Sequence, residues 1–371
     1  MEVEFSTDYV SIFEKMDSID PIQYGKTRNF LDGRVTYLSP YISRGVISTK
    51  EVLEHLLAKG TKISEMEALV KELCWRDYFQ RVGQTKDLTK EIKQVQQNAI
   101  HFEIPKAIVE ASTGITAIDN AISTLYKTGH MHNHCRMYTA SVVCNISKSH
   151  WFSPSNWMYY HLLDGDWASN ACSWQWVAAA NSNKRYYANQ ENMNRFTHTN
   201  QQKTFLDKTY EELAEMEVPS QLSSTVKMEF KTNLPASKLL NIDNQMPTFI
   251  YNYYNLDPKW HLSERGNRIL LLDPAFFKQF PISEKCLNFA LALSKNIPNI
   301  QVHTGSFESL TSEFGLTDTY YKEHPLNTGY SGTEEARDWI CEETKGYYPS
   351  FFAYWKQVEK KLSVRYPNFR S

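Results

Sequence analysis

Apolar residues at helical spacing dominate the first 205 positions and then give way, and this change constrains the fold more than any other feature. The i, i+3, i+4, i+7 pattern runs through 49–58 (TKEVLEHLLA), 64–82 (SEMEALVKELCWRDYFQRV) and 116–126 (TAIDNAISTLY). Ser or Thr introduces each stretch, as expected where a side-chain oxygen must accept from an unpaired first-turn N–H. Another helix is predicted from Thr204 to Glu217, and residues 218–248 are polar and mixed, reading as a connection. Beyond them Arg268-Ile-Leu-Leu-Leu-Asp273 reads as a buried strand, 283–295 as a helix and Ile300-Gln-Val-His303 as a second strand. Such a unit ordinarily pairs its strands in parallel. A last helix is predicted over 350–363. The fold class is therefore mainly α: a helical domain over 1–205, a connecting segment over 206–265, and a small α/β strand–helix–strand unit with a terminal helix over 266–371.

Composition narrows the function classes. The chain has 371 residues, with 40 Lys+Arg against 42 Asp+Glu and a net charge of −2. No global basic field drives it onto nucleic acid, so any such interface is a local patch. Gly and Pro, at 14 each, are too few for collagen, disorder or a turn-rich β-barrel. Aromatics at 13% suit a large planar ligand as well as a dense helical core. The six cysteines (74, 135, 144, 172, 286 and 341) contain no CxxC pair, which reads as reduced thiols in a cytoplasmic protein without structural zinc. The N-terminal MEVEFSTDYV lacks a signal-peptide layout, and no apolar run approaches the roughly 20 residues of a membrane helix. Neither GxGxxG nor GxxxxGK[ST] occurs, which argues against a Rossmann-type dinucleotide site in the N-terminal half.

Three clusters carry chemistry. Tyr24-Gly-Lys-Thr-Arg28 is followed by Val35-Thr-Tyr-Leu-Ser-Pro-Tyr-Ile-Ser-Arg-Gly45, placing Thr36 and Ser39 beside a helix start. Free N–H groups there can bind phosphate, and a capped loop is the plainer alternative. In Glu72-Leu-Cys-Trp-Arg-Asp-Tyr-Phe79, helical spacing puts Glu72, Trp75, Arg76 and Phe79 on one face. That mixture suits a ligand-lined wall or an amphipathic edge. The densest cluster holds His130-Met-His-Asn-His-Cys-Arg-Met137, Trp151, Asp164-Gly-Asp-Trp-Ala-Ser-Asn170 and Trp174-Gln-Trp176. His130 and His134 have metal-ligand spacing, but Arg136 beside them would repel a cation. Pairing Arg136 with Asp164 is the more coherent arrangement, since buried charges need partners.

These motifs resemble the photolyase/cryptochrome family, in family order and over residues about 20–205. Tyr24…Arg28…Val35-Thr-Tyr-Leu-Ser-Pro is similar to the family's Tyr-xxx-Arg…Thr-Ser-x-Leu-Ser-Pro loop around the FAD phosphates, with Val35 replacing the first Thr. Glu72-Leu-Cys-Trp-Arg-Asp-Tyr-Phe79 resembles the helix lining the substrate cavity, and Met131-His-Asn-His-Cys-Arg-Met137 resembles Met-His-Asn-Arg-x-Arg-Met. The resemblance implies an FAD site formed by Tyr24, Val35, Thr36, Tyr37, Leu38, Ser39, Asn133, Arg136, Asp164, Gly165, Asp166 and Asn170. Within it Arg136 and Asp164 would pair over the flavin, and Asn170 would face flavin N5, where plant cryptochromes usually have Asp. Glu72, Trp75, Asn133, Met137 and Trp176 would line a pocket for a flipped pyrimidine dimer. Asn133 stands where (6-4) enzymes carry a catalytic His, which implies the cyclobutane class. Damaged DNA, single-stranded among the candidates, would meet Arg28, Glu72, Trp75, Arg76 and His134.

The departures from the family pattern are equally specific. The flavin loop begins only about 20 residues in, so the family's N-terminal antenna domain is not expected, nor an antenna chromophore. Trp174 and Trp151 match the inner two members of the electron-relay triad. The outermost falls near Asn98, where there is no Trp. His134 replaces an Arg that touches DNA phosphate, and 186–195 departs from the family's Tyr-Phe-Arg-Ile-Phe-Asn-Pro. Light-driven dimer splitting by reduced FAD is the leading expectation. A cryptochrome-like blue-light sensor or redox flavoprotein without repair, with a protein partner of unknown kind, is the alternative.

Overall fold

The computed structural model describes residues 4–237 and 239–366. In chain order the helices of the first half are α1 (Tyr9–Asp17), α2 (Pro21–Thr27), α3 (Ser39–Ser43), α4 (Thr49–Ala58) and α5 (Ile63–Gly83). After the short strand β1 (Ile104–Pro105) come α6 (Lys106–Val109), α7 (Thr116–Thr128), α8 (Asn133–Ser141), α9 (Phe152–His161), α10 (Trp167–Val177), α11 (Gln190–Thr197) and α12 (Tyr210–Glu215). A π-helical turn, Val142–Ile146, follows α8 directly. Strand β2 (Thr225–Val226) pairs with β1. The remainder is β3 (Thr248–Tyr251), β4 (Asn267–Leu272), α13 (Pro274–Gln279), α14 (Glu284–Ser294), β5 (Ile300–Thr304), α15 (Phe307–Phe314), β6 (Thr319–Lys322), β7 (Thr333–Glu335) and α16 (Phe351–Arg365).

Contacts divide the chain into two units that are not continuous in sequence. Unit one comprises residues 1–4, 23–35 and 86–230; unit two comprises 5–22, 36–85 and 231–371. This cut differs from a division at 205 and 265, because α4 and α5 belong with the sheet that follows 200 positions later.

Among the described residues the regular elements of unit one are helices, joined by irregular segments, apart from the two-residue ladder of β1 and β2 and a single His101–Ser149 bridge. Helix α10 packs on both α8 and α9 around a core that includes Tyr138, Trp157, Met158, Trp167 and Ala171, all 1% exposed or less. Asp166 caps α10 by accepting from Ser169 N at 2.8 Å. Ile115 precedes α7 without a side-chain cap, so the expected hydroxyl cap is absent there. Tight hydrogen bonding of Asp119 to Thr113 and Gly114 organises the turn before α7 instead.

Unit two contains a five-stranded sheet of order β5-β4-β3-β6-β7, every pair parallel. The predicted strand–helix–strand unit is present as β4, α14 and β5, with the parallel pairing expected of it. Strand β3, Thr-Phe-Ile-Tyr, lies inside the stretch read as a connecting segment and is the central strand, buried at every residue. Four residues without polar alternation give a weak strand signal, because both faces of a parallel sheet are covered. On one face Ile250, Ile269 and Leu271 pack against Phe307 and Leu310 of α15. The expected hydroxyl cap is realised on α4, where Ser48 and Glu51 form a reciprocal capping box. Helix α5 begins from Lys62 rather than from Ser64, with Glu65 reaching back to the Lys62 N–H.

Candidate functional site

The candidate cofactor residues of unit one sit where short sequence signals end its helices. Asn133, Arg136 and Met137 share one face of α8, at i, i+3 and i+4. Arg136 Nε donates to Met131 O at 2.8 Å, which orients the guanidinium. Its Nη2 bridges both Asp164 carboxylate oxygens at 3.0 and 2.9 Å. The Asp164 side chain is 7% exposed and that of Arg136 22%, so the pair is buried on the carboxylate side and open on the other. Gly165 follows in a tight turn where a Cβ would meet Leu162 O at 2.9 Å and Tyr159 O at 3.1 Å, which reserves the position for glycine. Asp166 is spent on capping α10. Asn170, one turn into α10, donates from Nδ2 to Ser155 O at 2.9 Å, leaving its carbonyl oxygen available.

Arg28 and His134 come together in unit one. Burial, with the Arg28 charge, holds the His134 imidazole below its usual pKa, so that it stays neutral near pH 7. Phe196 and Tyr138 flank the His134 ring at 4.8 and 4.9 Å. Burial first, and then Arg136, depresses His130 to about 4; burial, His134 and Arg136 do the same to His132. The Arg136 guanidinium stands close to both imidazoles, and no group of three potential metal ligands is found among the described residues. Trp174 is 2% exposed and Trp151 fully buried, whereas Trp176 is 40% exposed and lies 5.7 Å from Tyr186. Asn133 is exposed and Met137 half-buried. The Tyr24 ring lies 5.9 Å from the Arg28 guanidinium.

The other candidates belong to unit two. Thr36 Oγ1 accepts weakly from Leu38 N at 3.3 Å; Tyr37 takes φ 53°, a left-handed turn that brings the chain into α3 at Ser39-Pro40. Val35, the last residue of unit one here, is half-buried. On α5, Arg76 donates to Ser43 Oγ at 2.9 Å. The Trp75 indole is stacked on Phe351 of α16, centroids 3.8 Å apart and planes within 10°, with Phe79 tilted at 5.2 Å. Sequence reasoning placed Trp75 in a substrate wall and missed Phe351, because 276 residues separate the two and no local pattern joins them. One face of this indole is committed to the fold.

The residues present fit a flavin nucleotide. His132 Nε2 and Ser169 Oγ are buried polar atoms without a partner among the described residues. Together with the Asp164–Arg136 pair and the Asn170 amide, they offer the mixed donors and acceptors that a ring with alternating polar edges can satisfy.

Known proteins bear on this donor set. Residues 69–252, about half the chain, match the family described as the FAD binding domain of DNA photolyase. Over 159 residues the chain is 30% identical to a deoxyribodipyrimidine photo-lyase of Vibrio cholerae, covering 40% of this chain and 34% of that protein. The Escherichia coli photo-lyase is 29% identical over 179 residues, covering 44% of this chain and 37% of that one. A cryptochrome from Synechocystis is similar in structure at a TM-score of 0.44 and 20% identity, over 53% of this chain and 44% of the other. The chain belongs to the photolyase/cryptochrome family and carries its FAD-binding domain. The match to the curated photo-lyases spans about a third of their length.

Among the described residues no helix is long and apolar enough to cross a membrane.

Proposed function

We propose that this protein is a light-driven flavoenzyme that binds FAD and acts on a cyclobutane pyrimidine dimer flipped out of damaged DNA. The observation that supports this most is the contact of Arg136 Nη2 with both carboxylate oxygens of the buried Asp164. When bound, reduced FAD supplies the photoexcited single electron that splits the dimer. Everything else falls to the chain. Arg136 and Asp164 would fix the ring plane, and Asn170 would present an amide to its edge. Asn133 would contribute from the first turn of α8. Tyr24, Val35, Thr36, Tyr37, Leu38 and Ser39 would hold the phosphates, with Gly165 and Asp166 shaping the turn against the nucleotide. Glu72, Trp75, Asn133, Met137 and Trp176 would receive the lesion, whose extrusion costs about a few kcal/mol and least for a damaged base. Arg28, Arg76 and His134 would meet the DNA backbone.

A second reading, a cryptochrome-like sensor or redox flavoprotein, draws on two observations. Phe351 occupies one face of Trp75, and His134, which the family resemblance would set against DNA phosphate, is held below its usual pKa by burial and the Arg28 charge. Loss of a cation there weakens and flattens the salt dependence of DNA binding.

The deciding experiment illuminates the reduced, purified protein anaerobically with a dimer-containing single-stranded oligonucleotide. Recovery of the intact pyrimidine absorbance in the ultraviolet is the result expected. Bound FAD without recovery selects the sensor or redox reading, and a protein that retains no FAD overturns both.

A further inference from the structure

Trp151 is enclosed by polar groups that the readings above leave without a task. It is 0% exposed, and its indole N–H makes no hydrogen bond of normal geometry. Its backbone N–H donates to Gln96 Oε1 at 2.9 Å, and Gln96 in turn donates to Ser149 O, so the residue is held rigidly. The ring of His150 lies 5.8 Å from the Trp151 ring, and Phe102, 68% exposed, covers His150 at 4.7 Å on the solvent side. His150 Nδ1 accepts from Phe152 N at 3.3 Å, which leaves the ring proton on Nε2. That Nε2–H donates to Glu91 Oε1 at 2.8 Å. Burial pushes the Glu91 carboxyl up, but the hydrogen bond from His150 and the other hydrogen-bonding groups around it outweigh this. The group is ionised at neutral pH, below its ordinary range. A partly exposed carboxylate and a buried indole thus share His150 as a neighbour, and the indole N–H has no hydrogen-bond partner among the described residues.

We propose that Glu91 is the proton acceptor for Trp151 when that tryptophan is oxidised in the light, so that the electron relay of this chain ends in a buried, deprotonated tryptophan. The inference rests on the reading of Trp174 and Trp151 as electron donors to a bound flavin. One electron passes from Trp151 to Trp174 and from there to the light-excited flavin acceptor. Oxidation makes the Trp151 N–H far more acidic than that of neutral indole. The N–H bond breaks, an O–H bond forms on Glu91, and a neutral tryptophan radical and a neutral carboxylic acid remain. The returning electron must then wait for the proton to return, which prolongs the charge-separated state. This does the work of a surface tryptophan, which the Asn98 region does not supply. His150, in contact with Glu91 and 13% exposed, positions the carboxylate.

The test is time-resolved spectroscopy of the oxidised FAD-bound protein, distinguishing the protonated from the neutral tryptophan radical. In the parent the neutral radical should form, and more slowly in D2O. Glu91→Gln keeps an acceptor for His150 but cannot take the proton. Its neutral radical should form on the order of 100-fold more slowly, the lower end of what a positioned base contributes. A neutral radical forming in Glu91→Gln at the parent rate overturns the proposal and leaves the relay intact. If Trp151→Phe and Trp174→Phe both leave tryptophan radical formation unchanged, the relay reading itself fails, and the proposal with it. FAD retention and thermal melting of each variant separate these outcomes from misfolding. The solvent isotope effect on the parent needs no variant, and its absence also counts against the transfer.

Discussion

The two units keep their polar residues satisfied over very different sequence distances. In unit one many of the deciding partners are close: Asp119 with Thr113 and Gly114, Asp166 with Ser169, and Arg136 with Met131. In unit two the buried Asp77 accepts from Ile340 N, 263 residues away, and Arg337 donates to Gln80 across 257. Trp75 finds its stacking partner in the last helix. Local signals therefore specify much of the first unit. The second depends on segments that meet only after most of the chain has collapsed.

Four changes sharpen or break this contrast. The largest effect is expected from Ile250→Ala in the central strand, a fully buried residue in contact with the α15 core. It should lower unfolding free energy by about 4 kcal/mol, read by urea titration. A loss under about 1 kcal/mol would mean that the sheet core has room to collapse around the site. Next, Arg136→Ala strands the buried Asp164 carboxylate; with the guanidinium partly solvated, about 3 kcal/mol is expected, together with loss of FAD on gel filtration. Stability unchanged with FAD retained would remove the pair from both the fold and the cofactor site.

Acid should act mainly on unit one. His130 and His132 have folded pKa values of about 4, below the ordinary 6.5. Between those values the unfolded chain binds protons that the folded chain refuses. Stability is full above pH 6.5 and falls as the pH drops toward 4, by about 2 kcal/mol per histidine at pH 5. His132→Gln should flatten the melting-temperature profile over that window, and an unchanged slope would place the acid sensitivity elsewhere. The smallest effect is expected from Ser48→Ala, which removes one half of the α4 capping box and should cost about 1 kcal/mol in urea titration.

How much was legible follows the same division. Helices α4, α5 and α7 stand within two residues of their predicted limits, and β4, α14, β5 and α16 are where the apolar runs put them. The predicted helix over 204–217 is confined to Tyr210–Glu215. Strands β6 and β7 were not anticipated: Thr-Tyr-Tyr-Lys and Thr-Glu-Glu are short and polar, and β7, at the edge of the sheet, needs less apolar burial. Arg136 with Asp164 was foreseeable because charge burial leaves few solutions. Phe351 and Glu91 carry no motif of their own.

The sequence by itself determined the family, the helical character of the first half, the parallel β4–β5 pair and the identity of the ion pair. These rest on hydrophobic period, helix-end chemistry and the cost of an unpaired charge, all of which act over short stretches or admit a single partner. Only the tertiary structure decided that α4 and α5 join the sheet unit, that β3 is its centre, and that Trp75 lends one face to Phe351. It also decided which carboxylate stands by Trp151. Those outcomes depend on which distant surfaces exclude water together, and apolar burial is non-directional, so no local pattern encodes the partner.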